Sequence, residues 1–516
     1  MKEAASEVHP KGESSNRGVV QKSNKVAVDT YAGCVHINWD HNMPVTPFGQ
    51  LAFFIEFLKR TELFDDFVKT CPLRLTSGNA PGNRDILGTL FLSVLSGHTR
   101  YAHMAAVRTD KVNPALLGMK KIVSDDSVRR GLNKIDQTSG RCWLINALKK
   151  SYSEILRIPW ILDVDTTVKC LYGHQEGAEV GYNPKKPGRP SHTYHSYMIA
   201  NIRMILDVEV MPGNESASRY TRPALFSWLD SIPTDQRPQF IRGDCNFGTD
   251  AVMIDCETRD QAYLFKLKQT RNVKRLISQH MANGEWVHAG KGWQGVEDSI
   301  QLMGWKIPRR IIILRRKIKK EIGVVNKRSS GQQMEFNFAN IGEKYEAYEY
   351  AVLVTTLKGE IISIAQHYRD RADSENDFDE LKNQWGWSGY TTQDIHRCQL
   401  MARIIALIYN WWTLFVRLIE PDKHWEAITS RPLLLQAVGT QIRHGGQKII
   451  RVNSNHADFK KVQVALSHLT AFFKTLKSNA EQLSQPERMR RVICRAFKKF
   501  IENLKTDPPN LLPAPT

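Results

Sequence analysis

The chain has 516 residues and a strongly basic composition, with 72 lysines and arginines, 53 aspartates and glutamates, and a net charge of +19. Hydrophobic residues make up 41% of it, which excludes wholesale disorder and predicts about three domains or one core with large insertions. The charge excess indicates a polyanionic partner, with nucleic acid favoured over an anionic membrane surface and a merely basic soluble enzyme as the alternative.

The sequence gives no support for a membrane, secreted or disulfide-rich protein. It has no uncharged apolar stretch of about 18 residues that would span a membrane. Its N-terminus lacks the apolar segment of a signal peptide. The eight cysteines are scattered and form no Cys-x-x-Cys pair, so we expect free thiols in a cytoplasmic protein without a zinc or disulfide framework.

The first third of the chain is predicted to be helical after a disordered tail at 1–30 that is rich in Ser, Gly, Asn and Lys. Apolar residues recur at helical spacing within 31–155, which we interpret as a DNA-binding domain. A helix is predicted to begin after Ser124 and to carry Arg129 and Arg130. An ordinary capped surface helix explains these two arginines equally well.

A mixed α/β core is predicted from residue 156, because short apolar, β-branched segments there alternate with helical patterns. Its first part is 156–268, and its second part, 347–420, holds one helix from about 362 to 385 and a long apolar helix from 398 to 418. Between them, 269–346 is predicted to be a β-rich basic insertion with Trp286, Trp293 and Trp305. A basic, mostly helical region follows at 421–516.

Two aspartates follow predicted strands and are candidate metal ligands. Asp165 comes after the strand WILDV, and Asp244 ends the strand FIRGD. Carboxylates at the ends of adjacent strands can converge on divalent cations, and two such ions support in-line displacement at a phosphodiester. Asp163 lies on the same side of its strand and competes for the role. A turn or cap residue is the common alternative for a single aspartate in this position.

A polar stripe is predicted along the helix HYRDRADSENDFDELKNQWGW. At 100° per residue, its four members share a sector about 60° wide; they are Tyr368, Arg371, Glu375 and Lys382. One carboxylate among a phenol, a guanidinium and an ammonium suits metal and phosphate binding. A solvated helix face with spaced charges is the alternative.

These residues resemble the Y-R-E-K signature of bacterial insertion-sequence DDE transposases, with DVDTT and RGDCNFG similar to their first two catalytic segments. The segments GHQEGAEVGYNPKKPGRPSH and QWGWSGY resemble the insertion-sequence family numbered thirteen-eighty, close to the type-four group. The resemblance spans about 45–420. It implies an RNase H-like α/β core interrupted by a β-rich insertion, with an N-terminal helical DNA-binding domain and a C-terminal helical region for DNA contacts and dimerisation.

The resemblance also implies site residues. Asp165, Asp244 and Glu375 would be the catalytic triad and would bind two Mg²⁺ or Mn²⁺ ions. One tryptophan of the insertion would stack on a flipped base, with Trp293 and Trp305 as the first candidates and Trp286 as the third. The residues that would contact DNA are Tyr368, Arg371, Lys382, Lys185, Lys186, Arg189, Arg129, Arg130, Trp293 and Trp305.

The function implied is cut-and-paste transposition by a homodimer in the bacterial cytoplasm. The enzyme would bind terminal inverted repeats of double-stranded DNA, cleave the ends through a hairpin, and transfer the 3′-OH strands to target DNA. Two alternatives stay open, namely a DNA-binding protein without catalysis and a metal-dependent nuclease without strand transfer. The segments 156–268 and 347–420 are slightly acidic and the other segments are basic, which predicts cutting in the core and DNA gripping outside it.

Overall fold

The computed structural model describes residues 25–40, 42–184, 186–215, 217–318, 348–453, 458–480 and 483–506. Some side chains within these ranges also lie outside the description, at 217–218, 283, 373–375, 477–480 and 503–506. The chain divides into two compact units, Met1–Pro44 and Val45–Thr516.

The described part of the first unit is a two-stranded antiparallel hairpin of β1 (Val26–Thr30) and β2 (Gly33–Ile37). The hairpin crosses residue 30, where the sequence predicts the end of a disordered tail. Its strands alternate residues between two faces, and every residue of both strands is exposed.

The second unit begins with a short strand and a group of helices, which confirms the helical spacing predicted in this part of the chain. The elements are β3 (Val45–Thr46), α1 (Leu51–Thr61), α2 (Leu63–Lys69), α3 (Asn83–Leu95), α4 (Asn113–Leu116), α5 (Asp125–Asn133) and α6 (Gln137–Tyr152). The Ser124 hydroxyl oxygen accepts from the N–H of Ser127 at 3.2 Å, so this residue caps α5 as its sequence predicts.

A mixed sheet of nine strands forms the centre of the second unit, in the order β6-β5-β4-β7-β8-β12-β11-β10-β9. Strands β4, β7 and β8 are parallel, and the other neighbours are antiparallel. The strands are β4 (Ile161–Cys170), β5 (Ser191–Ile199), β6 (Met204–Pro212), β7 (Phe240–Gly243), β8 (Tyr263–Lys266), β9 (Val287–His288), β10 (Trp293–Ile300), β11 (Arg309–Lys317) and β12 (Tyr348–Thr355). The chain therefore has the mixed α/β architecture that its sequence predicts.

The described part of the predicted insertion continues this sheet. Strand β12 pairs with β8 and carries β11, β10 and β9 outward. The segment also holds a helix of 13 residues, α9 (Arg271–Asn283), which the sequence interpretation did not include. Two further helices, α7 (Ala217–Asp230) and α8 (Asp250–Glu257), connect strands of the core. The insertion is thus built on the edge of the core sheet.

The prediction of one continuous helix from 362 to 385 is wrong, because the structure has two helices there, α10 (Ile361–Arg369) and α11 (Ala372–Asn383). The N–H of Arg371 donates to the carbonyl oxygen of Tyr368 at 3.2 Å instead of to His367, four residues back. The His367 carbonyl oxygen instead accepts from the guanidinium of Arg242. A buried side chain thus takes the acceptor that would continue the helix.

The long apolar helix predicted at 398–418 is confirmed as α12 (Ile395–Ile419), which packs against β6 and α6. Among the described residues it is the one helix long and apolar enough to cross a membrane, but 94% of its most apolar window is buried inside the protein. The remaining elements are α13 (Ala427–Leu434), β13 (Gly439–His444), β14 (Gln447–Val452), α14 (Phe459–Ala480), α15 (Gln485–Ala496) and α16 (Lys498–Thr506). The C-terminal region is mostly helical but contains a β-hairpin.

Candidate active site

Parallel pairing of β4 and β7 brings the two predicted aspartates side by side. The last paired residues are Val164 and Gly243, and the next residue on each chain is Asp165 or Asp244. The sequence predicts that the strand ends before Asp165, but β4 continues to Cys170, so Asp165 lies in the middle of its strand, whereas Asp244 directly follows β7. Because the two strands are parallel and in this register, both carboxylates lie at the same point of the sheet. The structure therefore brings together the two carboxylates that sequence spacing could place only on separate strand ends.

Each aspartate is oriented by its own local backbone. Asp165 is 8% exposed, and its Oδ1 accepts from the N–H of Thr166 at 2.7 Å. Asp244 begins a turn in which the N–H and side-chain amide of Asn246 donate to its two oxygens at 2.9 and 3.0 Å. The sequence DCN after β7 thus forms a side-chain-stabilised turn that fixes the second carboxylate.

Asp163, the competing candidate, is occupied by a different partner. It pairs with Arg242, its neighbour in register on β7, through contacts of 2.5 and 2.7 Å from Nε and Nη2. Both side chains are buried, at 3% and 1% exposure. Since each lies two residues before a site aspartate on the same face of its strand, the pair forms the layer beneath the Asp165–Asp244 pair.

Arg371, the residue that precedes α11, and Lys382, in the last turn of α11, both contact β4. The Arg371 Nη2 donates to Asp165 Oδ2 at 2.5 Å. The Lys382 ammonium donates to the hydroxyl of Thr167 and, at 3.0 Å, to the carbonyl oxygen of Val168. These two predicted residues are thus assembled with Asp165 along one strand.

Tyr368 lies half-buried on the last turn of α10, close enough to Asp165, Asp244 and Arg371 to interact with their charges. Burial raises the pKa of its phenol, and the negative charges of Asp244 and Asp165 add to this while Arg371 opposes it. The phenol therefore stays protonated and can donate a hydrogen bond. Glu375 belongs to α11, but its side chain lies outside the described residues.

Electrostatics at the site oppose two free carboxylates. Burial raises the pKa of Asp165 to about 7, Arg371 opposes this rise, and the charges of Asp244 and Asp163 add to it. Burial lowers the pKa of the Arg371 guanidinium, but the carboxylates of Asp165, Asp244 and Asp163 together with Tyr368 outweigh this and hold its pKa above the ordinary value. Positive charge is therefore favoured at this point of the sheet.

The donor set fits a divalent cation. Two adjacent carboxylates supply hard oxygen ligands, and a cation between them would offset the repulsion and burial that raise the pKa of Asp165. The described side chains contain no group of three or more His, Cys, Asp and Glu that could hold a metal, and the third predicted ligand, Glu375, is not among them.

Two other acids of α11 are committed elsewhere. Asp377 is buried and pairs with Arg203 at 2.9 Å. Glu380 is buried as well and accepts from His424 at 2.8 Å and from the indole of Trp385 at 3.1 Å. Neither carboxylate is available to the group around Asp165.

The two arginines predicted to contact DNA from the N-terminal helical region lie on α5. In α5, Arg129 pairs with Asp125 at 2.8 Å and Arg130 with Asp126 at 2.7 Å, one helical turn apart. They occupy the second half of the helix. Their geometry is that of a capped, ion-paired surface helix.

In the loop between β4 and β5, two cations predicted to contact DNA, Lys186 and Arg189, surround the aromatic ring of Tyr172. The sequence interpretation did not include this tyrosine. Lys186 Nζ lies 5.1 Å and the Arg189 guanidinium carbon 4.9 Å from the ring centre of Tyr172, whose side chain is 69% exposed. Lys185 lies outside the described residues. The cluster offers both charge and a stacking surface to a nucleic acid.

Each insertion tryptophan is half-buried and covered on one face by an arginine. The guanidinium carbon of Arg316 lies 4.9 Å from the ring of Trp293, and that of Arg309 lies 4.8 Å from Trp305. Trp286 is covered by Arg315 at 4.0 Å. Stacking of a base on that face of any of them would require displacement of the guanidinium.

Sequence reasoning missed Arg242. The signal was available, because Arg242 and Asp163 each precede a candidate aspartate by two residues on strands of the same phase. To recognise this signal requires the register of two strands that are separated by about 80 residues of chain. The sequence of either strand alone does not specify that register.

Comparison with known proteins identifies the family of the chain and solved structures that resemble it. The model of the family described as transposase DDE domain, group 1, matches residues 53–472. No curated protein matches. Among solved structures, the chain is similar to a piggyBac transposase synaptic complex with hairpin DNA, with 10% identity, a TM-score of 0.38, and coverage of 91% of this chain and 87% of that chain.

Proposed function

Because the chain belongs to the group 1 family of transposase DDE domains, we propose that it is the cut-and-paste transposase of an insertion sequence in the thirteen-eighty family. The observation that carries the proposal is the group at the carboxyl end of β7, beside the middle of β4. Asp165 and Asp244 lie side by side there, with Arg371 bound to the first of them. The order β6-β5-β4-β7-β8, with three antiparallel strands followed by parallel ones, supports an RNase H-like core.

Asp165, Asp244 and Glu375 would hold two Mg²⁺ or Mn²⁺ ions. Such ions would supply activation of the attacking oxygen and stabilisation of the leaving oxygen of the phosphodiester. Arg371 keeps the Asp165 carboxylate oriented, and its remaining N–H groups can donate to a phosphate oxygen. The protonated phenol of Tyr368 can donate to the same phosphate group. Lys382 holds α11 against β4 and places positive charge beside the scissile strand.

The reaction we propose has four displacements at phosphorus. Water attacks one strand at the transposon end and releases a 3′-OH. This hydroxyl attacks the opposite strand and closes a terminal hairpin, which water then reopens. The regenerated 3′-OH attacks a phosphodiester of the target DNA and joins the element to it. Each step exchanges one P–O bond for another, so no redox partner is needed.

DNA gripping is proposed for the basic segments outside the core. The segments 31–155, 269–346 and 421–516 would bind the two transposon ends in a synaptic homodimer within the bacterial cytoplasm. The exposed cluster of Tyr172, Lys186 and Arg189 supports a contact close to the site, since it follows β4 directly. For Arg129 and Arg130, the ion pairs within α5 favour a smaller share of the binding energy.

An end-processing assay tests the proposal. The purified chain is mixed with Mg²⁺ and a labelled duplex that carries the inverted repeats bracketing its gene. Hairpin and joined products support the transposase. Nicks alone would indicate a nuclease, and binding without any cleavage would indicate a DNA-binding protein. The variants Asp165→Ala, Asp244→Ala and Glu375→Ala should each abolish cleavage and leave end binding largely intact, whereas retained cleavage in any of them would contradict the assignment.

A further inference from the structure

The hairpin of β13 and β14 is a basic projection without an acid of its own. No Asp or Glu occurs between 427 and 457, while the two strands carry Arg443, Lys448 and Arg451. All three are exposed. In the part of the chain that the structure describes, no carboxylate forms an ion pair with any of them. The hairpin differs in this from α5 and β11, whose surface arginines have acidic partners.

The arrangement of these charges destabilises the hairpin when no partner is bound. Arg443 lies directly opposite Lys448 in the antiparallel register, and like charges in that relation destabilise a sheet. Arg451 lies opposite Thr440 on the other face. A bound polyanion would convert this repulsion into attraction, so the arrangement favours a partner that carries negative charge on both sides of the ribbon.

The tip of the hairpin is narrow. The strands are joined by Gly445 and Gly446 alone, both with positive φ, at 55° and 77°. These values are typical of the two-residue turn that matches the twist of a β-ribbon. With no side chain at its tip, the hairpin can approach another surface closely with its main chain.

The base of the hairpin is fixed to the helical part of the unit. Strand β13 pairs with β3 through Gly439 and Thr440. The N–H of Gly49 donates to the carbonyl oxygen of Ala437 at 2.6 Å. A side chain at Gly49 would come within 2.9 Å of that oxygen, so the two segments meet at backbone distance. The charges are thus carried by a rigid arm.

We propose that this arm, defined as residues 439–452, inserts into a groove of double-stranded DNA. The inference rests on the proposed function for the choice of DNA as the polyanion. Six residues per strand give a length of about 20 Å, and a two-stranded ribbon fits the major groove, which is about 12 Å wide. Arg443 and Lys448 on one face of the ribbon and Arg451 on the other contact phosphates on the groove walls.

The experiment measures binding of the full chain to a duplex of about two helical turns and to one of its single strands, over a range of salt concentrations. The test variant is Arg443→Gln with Lys448→Gln and Arg451→Gln. The matched control is Lys498→Gln with Lys499→Gln, since these cations of the same basic region have acids nearby, Glu502 at 3.8 Å and Asp422 at 3.5 Å.

We expect the test variant to lose about 10- to 100-fold in duplex affinity and about 2–3 from the slope of log affinity against log salt, since each phosphate contact contributes about 0.9. The control should change the slope by less than one contact. The variant Arg443→Lys with Arg451→Lys keeps the positive charges, so its slope should equal that of the wild-type chain. The melting temperature of the test variant should be unchanged or slightly higher, because it removes the opposed charges.

Three results would overturn the inference: a test variant that changes the slope no more than the control, one that loses as much affinity for the single strand as for the duplex, or one that has unfolded. These are separate from failure of the proposed function. If the wild-type chain binds the duplex but never cleaves it, the transposase proposal fails and the groove contact stands. If the wild-type chain cleaves and the test variant binds normally, the groove contact alone fails.

Discussion

Arg242 donates a hydrogen bond to the main-chain carbonyl oxygen of His367, the atom that the N–H of Arg371 would bind in an uninterrupted helix. Its other two nitrogens, Nε and Nη2, donate to the carboxylate of Asp163 at 2.5 and 2.7 Å. One buried guanidinium therefore sets the break between α10 and α11 and binds the strand that carries Asp165. The break places Arg371 2.5 Å from that carboxylate.

Arg242→Lys should lower the cleavage rate about 10- to 100-fold and leave affinity for the DNA end unchanged, because lysine keeps the charge but cannot make the same directed contacts. If Arg242 acts through Arg371, the double variant with Arg371→Lys should lose less than the product of the two single losses. Single-turnover rates of all four proteins measure this coupling.

A buried pair away from the site provides the control for that cycle. Arg403 on α12 holds Asp207 on β6 through contacts of 2.7 and 3.1 Å, and both are buried. Arg403→Lys should destabilise the protein comparably, but its effect on rate should multiply with that of Arg371→Lys. If the rate losses of Arg242→Lys and Arg371→Lys also multiply, Arg242 does not act through Arg371 and has only a structural role.

The contribution of Asp165 to the thermal stability of the metal-free protein should fall as pH rises from about 4 to about 7. Burial raises the pKa of Asp165 to about 7 from 3.8, so this carboxyl binds more protons in the folded than in the unfolded chain between these values, and its titration favours unfolding as the pH rises. Asp165→Asn removes this contribution. In chelator, the melting temperature of the wild-type chain should therefore fall relative to that of Asp165→Asn as the pH rises over this range, and a difference that does not change with pH would contradict the shift.

Mn²⁺ should raise the melting temperature of the wild-type chain and not that of Asp244→Asn. A ligand that binds only the folded state stabilises it by about 3 kcal/mol at a hundredfold excess over its Kd. Loss of one of two adjacent carboxylates removes most of the site. Calorimetric titration with Mn²⁺ provides a second measurement, and equal binding by both proteins would move the metal site elsewhere.

Asn410→Leu should reduce the free energy of unfolding by about 2–4 kcal/mol, because buried backbone groups would lose their partners. The Asn410 side chain accepts from the N–H of Ile205 at 2.9 Å and donates to its carbonyl oxygen at 2.7 Å. Urea denaturation measures the change. Asn383→Leu is the control, since that amide is exposed and contacts only Asp379 in the described structure, and we expect it to cost under about 0.5 kcal/mol.

Local patterns of sequence predicted the elements and the spacing of the site. The apolar run of β4, the turn after Asp244 and the continuous apolar surface of α12 are each determined by neighbouring residues, and the structure has all three elements. The same patterns failed at the break before Arg371, where the sequence DRADSE has ordinary helical character. The cause of the break is Arg242, about 125 residues earlier in the chain.

The C-terminal hairpin shows a similar limit. Its Gly445–Gly446 turn is a local signal for a β-hairpin, but the sequence interpretation described 421–516 as basic and mostly helical and did not include the hairpin. The contacts that hold its base, from β3 and from Gly49, come from the opposite end of the unit.

The sequence by itself therefore determined the net charge, the mixed α/β class and the residue types of a two-carboxylate site with its basic neighbours, because composition and short-range periodicity specify these. Only the tertiary structure decided that Asp163 is neutralised by Arg242 while Asp165 faces Asp244 and Arg371. That choice depends on the register of two strands joined by a long connection. Register is fixed by packing across the whole sheet, and no short segment contains it.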